Sequence, residues 1–181
     1  MVYRFSQENV VEFSGSVYHA GMRAIIINPF LQATITLFQK MFRLDATPGA
    51  PHVVERFGNH RWEVSGVISF LGTHTGVVVI RLPHLLADKL LQRTGMIFDS
   101  PKDREHMINE MVGEFTNIIA GNALGPLAEN GIDLEISPPL VVQGKNHRIH
   151  WPNHAPIIGM PFTTVMGPFT VDVSMKNIEI I

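Results

Sequence analysis

SPKDREHMINEMVGEFTNIIAGNALGPLAENG, from Ser100 to Gly131, is the stretch whose reading decides the fold. Ser100 is a good N-cap, Pro101 suits the first helical position and Asp103 puts a negative charge in the first turn, so a helix begins here. Gly131 can close it. At about 100° per residue, Met107, Ile108, Met111, Val112, Phe115, Ile118 and Ile119 gather into an apolar stripe, the mark of a helix packed on a core. Glu110, Glu114, Asn117 and Gly121 form a second stripe, within roughly 60° of one another and clear of the apolar centre. Gly113 and Gly121 each cost about 1 kcal/mol relative to Ala inside a helix. Small residues beside a polar pair let another surface come close, so Glu110, Gly113 and Gly121 are candidate partner-binding positions. Pro126 has no N–H for the carbonyl of Asn122, and a kink or restart is expected there.

Outward from that helix, Asn28 and Pro29 read as the cap and first turn of an earlier helix whose apolar face is Phe30, Ala33, Thr34, Leu37, Phe38 and Met41. A break at residues 47–51 is followed by strand-like runs at Val53-Val54, Trp62–Phe70 and Gly76–Ile80, expected to pair antiparallel. Leu82 to Thr94 is a second amphipathic helix, with Leu85, Leu86, Leu90 and Leu91 inward and Gly95 as its stop. Beyond Gly131, strands are expected at Leu140-Val-Val, Arg148-Ile-His, residues 156–165 and residues 169–175. Residues 1–22 carry the weakest signal: Ser6-Gln-Glu-Asn can cap a short helix through Phe13, and Gly15 and Gly21 break the pattern.

The order helix then strands occurs twice, and the halves align as a duplication. Residues 44–54 lie over residues 132–142 without a gap, matching Asp45 with Asp133, Pro51 with Pro139, and Val53-Val54 with Val141-Val142. With a shift of three, Gly76 falls over Gly167. The same register puts Ile26 opposite Glu114 and Pro29 opposite Asn117, so only the second half carries the polar pair. A pseudo-twofold axis would bring the two long helices together on one face of a shared antiparallel sheet. The expected class is α+β: an N-terminal extension, 1–22, then a single domain, 23–181, with halves 23–99 and 100–181.

At 181 residues, 45% hydrophobic and 17% charged, the chain is long enough and apolar enough to bury a core. A net charge of −2 and the lack of a Lys/Arg run argue against nucleic acid and acidic membranes as partners. There is no cysteine, which excludes disulfides, thiolate metal sites and a thiol nucleophile, and fits a reducing cytoplasm. The start is too polar for a signal peptide and no run approaches the eighteen or so apolar residues of a bilayer span. A cytoplasmic protein is expected.

The self-contained catalytic motifs are missing: no G-x-S-x-G elbow, P-loop, G-x-G-x-x-G turn or H-E-x-x-H helix. His147, His150 and His154 could bind zinc if they converged, but Trp151-Pro152 between them reads as a turn, and surface histidines are the expectation. No metal site is expected on this chain. For Glu114 and Asn117, spacing alone is that of an ordinary exposed helix face. The asymmetry between the halves and the flanking glycines point further. An amide is neither base nor nucleophile, but it can hold a water in line for attack, as glutamine does in GTPases, while a carboxylate three residues away grips a cation. Neither can assemble a magnesium site alone. The coherent arrangement is composite: the helix docks on a partner that already holds the phosphoryl group, the metal and a lysine.

Glu114-x-x-Asn117-x-x-x-Gly121, followed by Ile136-Ser-Pro138-Pro139-x-Val141-Val142-x-Gly144, resembles the CheC/CheX chemotaxis phosphatases, with CheX the closer match. The similarity runs from about Asn28 to the strands near Lys176. It implies two long helices on one face of an antiparallel sheet, a homodimer, and hydrolysis of the aspartyl phosphate of a CheY-type response regulator. Carried over, the catalytic pair is Asn117, which orients the attacking water, and Glu114, which pairs with the regulator's lysine. No cofactor belongs to this chain, since the regulator supplies Mg²⁺ and the phosphorylated aspartate. Glu110 stands where the family usually has Asp or Ser, and a single Glu/Asn pair fits CheX better than CheC. The alternative within the same fold is a non-catalytic interaction module, like the middle domain of the flagellar switch protein FliM or a regulator binder that hydrolyses nothing.

Overall fold

The computed structural model describes residues 20–54, 62–145, 147–151 and 155–177, with side chains from residue 24 onward. Among these residues three helices, α1 (Ala20–Phe42), α2 (His84–Arg93) and α3 (Pro101–Ala128), accompany eight strands. These are β1 (Thr47–Pro48), β2 (His52–Val53), β3 (Val64–Gly72), β4 (His74–Leu82), β5 (Leu134–Ile136), β6 (Leu140–Gln143), β7 (Ile157–Thr164) and β8 (Gly167–Asn177). The α+β class and antiparallel sheet expected from the sequence are what the chain forms.

Every strand pairing is antiparallel, in the order β1-β7-β8-β4-β3-β5, with β2 also on β7 and β6 also on β3. The order reads the same from both ends when β4 is exchanged with β8, β3 with β7, and β1 and β2 with β5 and β6. That is the pseudo-twofold of the duplication. The halves are interleaved: β1 and β2 complete the sheet edge beside β7, and β5 and β6 complete the edge beside β3. Val53 therefore pairs with Ile158, far along the chain, instead of with its neighbouring strand.

Strands β3, β4, β7 and β8 send alternate residues to the helices, as a period of two requires. Val64, Ile68, Phe70, Val78, Ile80, Leu82, Met160, Phe162, Phe169, Val171 and Val173 meet α1 and α3 in one core. Aromatic rings join the layers: Phe38 stacks on Phe169 with centroids 4.4 Å apart, Phe162 stacks on Phe169 at 5.0 Å, and Phe42 meets Phe115 edge-on at 5.1 Å. The contact of Phe38 and Phe42 with Phe115 puts the two long helices side by side. On the opposite sheet face Arg81 and Asp172 form a buried ion pair at 3.1 Å, and the Arg81 guanidinium lies 5.3 Å from the Trp151 ring centre.

Four local expectations change. Helix α1 is already formed at Ala20, the first described residue, so Asn28 and Pro29 lie inside it and the helix crosses the boundary expected after residue 22. Proline at 29 removes one backbone donor, yet Ile27, Phe30 and Leu31 are all buried, and core packing carries the helix across. Leu85 is 63% exposed, because adjacent Leu85 and Leu86 cannot both face inward and Leu86, Ala87, Leu90 and Leu91 take the buried side. Helix α3 runs through Pro126 to Ala128 without restarting. Residues 148–150 form no strand. The short helix expected after Ser6 lies outside the described residues.

Candidate functional site

Local chemistry starts α3 as its sequence demands. Ser100 Oγ accepts the Asp103 backbone N–H at 3.1 Å and donates to the Asp103 carboxylate at 2.6 Å. Gly131, at φ +77°, takes the left-handed turn after the helix. Side chains tie the first two turns to α2 and β6: Arg104 pairs with Asp88, His84 Nε2 donates to Glu105 at 2.7 Å, and Gln143 donates to Glu105 at 3.3 Å. The hydrogen bond from Arg104 holds the Asp88 carboxyl below its usual range. Further along, Ile108, Met111, Val112, Phe115 and Ile119 are buried, while Met107 and Ile118 lie half-buried at the core's margin.

On the solvent side of this anchored helix, Glu110, Glu114 and Gly121 are exposed and Asn117 is partly exposed. Glu114 and Asn117 are neighbours one turn apart. Among the described residues neither makes a side-chain hydrogen bond, and neither Glu110 nor Glu114 joins an ion pair. The acceptor and donor groups of the pair are thus unspent. A Cβ built on Gly121 meets nothing within 4 Å, so the surface one turn beyond Asn117 is open.

Gly113 departs from the expected partner-binding face. It is buried, and a Cβ there would lie 3.4 Å from Val141 Cγ2 and 3.8 Å from Pro139 Cγ. Those are ordinary van der Waals distances, so the neighbours of this position are Val141 and Pro139 of the same chain, with room for a methyl group and no more. Of the histidine cluster, His147 is engaged: its Nδ1 lies 2.9 Å from the Gly144 carbonyl, which can only accept, so Nδ1 donates and Nε2 accepts from Ser65 Oγ at 2.7 Å. His154 lies outside the described residues. Among the described residues no group of three His, Cys, Asp or Glu side chains is placed to hold a metal ion, and no helix is long and apolar enough to cross a membrane.

The fold and site together define a duplicated helix-on-sheet protein that, among the described residues, presents an unpartnered carboxylate and amide one turn apart on α3. A family model described as chemotaxis phosphatase CheX matches residues 64–163, from the start of β3 into β7 and across all of α3. The chain belongs to that family. It is 30% identical to the chemotaxis protein CheX of Vibrio vulnificus, covering 83% of this chain and 99% of that one with a TM-score of 0.72. CheX of Desulfovibrio desulfuricans is 28% identical over 83% and 99% of the two chains, also at a TM-score of 0.72. At 22% identity, CheX in the CheX–CheY–BeF₃–Mg²⁺ complex of Borrelia burgdorferi shares the fold, with a TM-score of 0.71 over 84% and 98%. No curated protein sequence matches the chain.

Proposed function

We propose that this chain hydrolyses the aspartyl phosphate of a CheY-type response regulator by inserting Glu114 and Asn117 into the regulator's active site. The observation that carries the reading is an unspent carboxylate and amide, one turn apart on a helix whose other faces are buried or pinned. In the reaction the water oxygen forms a bond to phosphorus as the bond to the aspartate oxygen breaks, leaving inorganic phosphate and a free carboxylate. The Asn117 amide, which can donate and accept, holds that water in line; Glu114 pairs with a lysine at the regulator's phosphorylation site. Membership of the CheX family supports the assignment, as does the likeness of fold to the Borrelia protein that forms a complex with CheY. Glu110 and Gly121 flank the pair as docking surface. The metal belongs to the regulator in this scheme, and the chain acts as a cytoplasmic homodimer, a state that light scattering reads directly.

The test is the loss of phosphate from a phosphorylated CheY-type receiver, with wild-type protein and with Asn117→Ala at equal concentration. Acceleration by wild type and none by the variant is expected. Equal acceleration by both overturns the role of Asn117. No acceleration by wild type, on several receivers, leaves the non-catalytic binding module as the function.

A further inference from the structure

The residues that project the catalytic pair have their own chain neighbours, Gly113 and Thr116, and these rest on a single pair of facing residues in the sheet. In the β3–β6 ladder Gly66 stands opposite Val141. A Cβ at Gly66 would fall 1.9 Å from Thr116 Oγ1, 3.1 Å from Thr116 Cβ and 3.0 Å from the Val112 carbonyl oxygen, distances that backbone and a branched side chain cannot absorb without the helix rising. Thr116 is buried and its hydroxyl donates to the Val112 carbonyl at 2.7 Å, which fixes its rotamer. Val141 faces Gly113, where a Cβ would meet its Cγ2 at an ordinary van der Waals distance of 3.4 Å and a branched side chain would press on it. One strand residue thus limits how low α3 lies, and the residue paired with it limits how the helix is rolled.

The duplication supplies an internal control. Matching Val141 with Val53 makes Ile158, the partner of Val53, the counterpart of Gly66. The counterparts of Val112, Gly113 and Thr116 are Ala24, Ile25 and Asn28. So Gly66, a bare strand position under a small hydroxyl residue of α3, has as its counterpart an isoleucine packed at the core, and Thr116 has as its counterpart an asparagine whose Oδ1 is buried with no partner among the described residues. The backbone of α3 comes close to β3, β4, β5 and β6, whereas the close backbone neighbours of α1 are on α3. Among the described residues the seat lies beneath the helix that carries the Glu/Asn pair.

We infer that Gly66, Val141, Gly113 and Thr116 are positioning residues that set the height and roll of α3, and so the depth to which Asn117 and Glu114 reach into the receiver. The inference rests on the phosphatase reading for its functional consequence. A misplacement of about 1 Å can cost on the order of 100-fold in rate, while a docking face spread over several side chains tolerates it better. The seat therefore acts on turnover more than on affinity.

The experiment compares wild type with Gly66→Ala and Gly113→Val. It measures thermal stability, affinity for a beryllofluoride-bound receiver, the single-turnover rate of dephosphorylation, and amide hydrogen exchange along α1 and α3. Each folded variant is expected to lose at least about tenfold in rate and less than about threefold in affinity. Exchange in residues 110–121 should quicken while that of α1 stays as in wild type. Thr116→Ala added to Gly66→Ala removes the closest contact and should restore part of the rate. Should Gly66→Ala not fold, Gly113→Val decides alone. A folded variant with wild-type rate and wild-type exchange in α3 overturns the inference. If wild-type protein accelerates nothing, the phosphatase reading fails, and the exchange pattern alone still decides whether the seat positions α3.

Discussion

Asn117 and Glu114 occupy one helical face, and the proposed reaction gives them different tasks that kinetics can separate. An oriented water is needed only on the way to the transition state, so Asn117→Ala should lower the dephosphorylation rate on the order of 100-fold or more, with affinity for a beryllofluoride-bound receiver near that of wild type. A carboxylate that pairs with a lysine contributes to the complex itself. Glu114→Lys should therefore weaken binding more than Glu114→Ala, and added salt should narrow the difference between wild type and Glu114→Ala. An unchanged salt dependence would remove Glu114 from the ion pair. The polar pair was legible in the sequence because it needed only helical spacing and the comparison of one half with the other. Gly113 was misassigned for a physical reason: a glycine on a helix reveals that something approaches closely, but not whether the visitor is a partner or, as here, Val141 and Pro139 of the same chain. Gly66 was passed over although a glycine inside a strand carries the same signal of close backbone approach.

At the scale of elements, α3 owes its start to its own first turn and its alignment to α2. The Ser100 cap, Pro101 and the Gly131 turn were all readable because capping involves residues within a few positions of one another. The extension of α1 ahead of Asn28 was not, since Asn28-Pro29 has local cap chemistry and the packing of Ile27, Phe30 and Leu31 overrules it. Between α2 and α3, the Asp88–Arg104 hydrogen bond depresses the Asp88 pKa, foremost through the bond itself. A carboxyl whose folded-state pKa is depressed adds stability that is fully present above its unfolded value and is lost as pH falls through the folded value. Asp88→Asn should accordingly melt below wild type at pH 7, by a small margin because the pair is partly exposed, and the two should converge on acidification through the carboxylate range. A difference that persists undiminished below that range would assign the loss to packing or to the Gln92–Asp88 hydrogen bond instead.

For the whole molecule, the consequence of duplication is interdependence. A sequence alignment of the halves shows that two similar units are present, but not that each unit's short strands cross to the other's sheet edge, because pairing partners so far apart along the chain leave no local trace. Thr47 faces Thr163 and Val53 faces Ile158, while Leu134 faces Gly72 and Val141 faces Gly66. Neither half can complete its own edge, and the Phe38–Phe115 and Phe38–Phe169 contacts cross the same divide in the core. Unfolding one half would strip strands and rings from the other, so the domain should unfold in one cooperative step. The two tryptophans report it independently: Trp62 precedes β3 in the first half, and Trp151 belongs to the second half yet lies on Arg81 of the first. Denaturant titrations of Trp62→Phe and Trp151→Phe, each followed by the remaining tryptophan and by far-ultraviolet circular dichroism, should give coincident transitions within each variant. A far-ultraviolet signal that falls in two steps, with each tryptophan tracking a different one, would show the halves to be separable folding units and would dismantle the interleaved edges as the source of cooperativity.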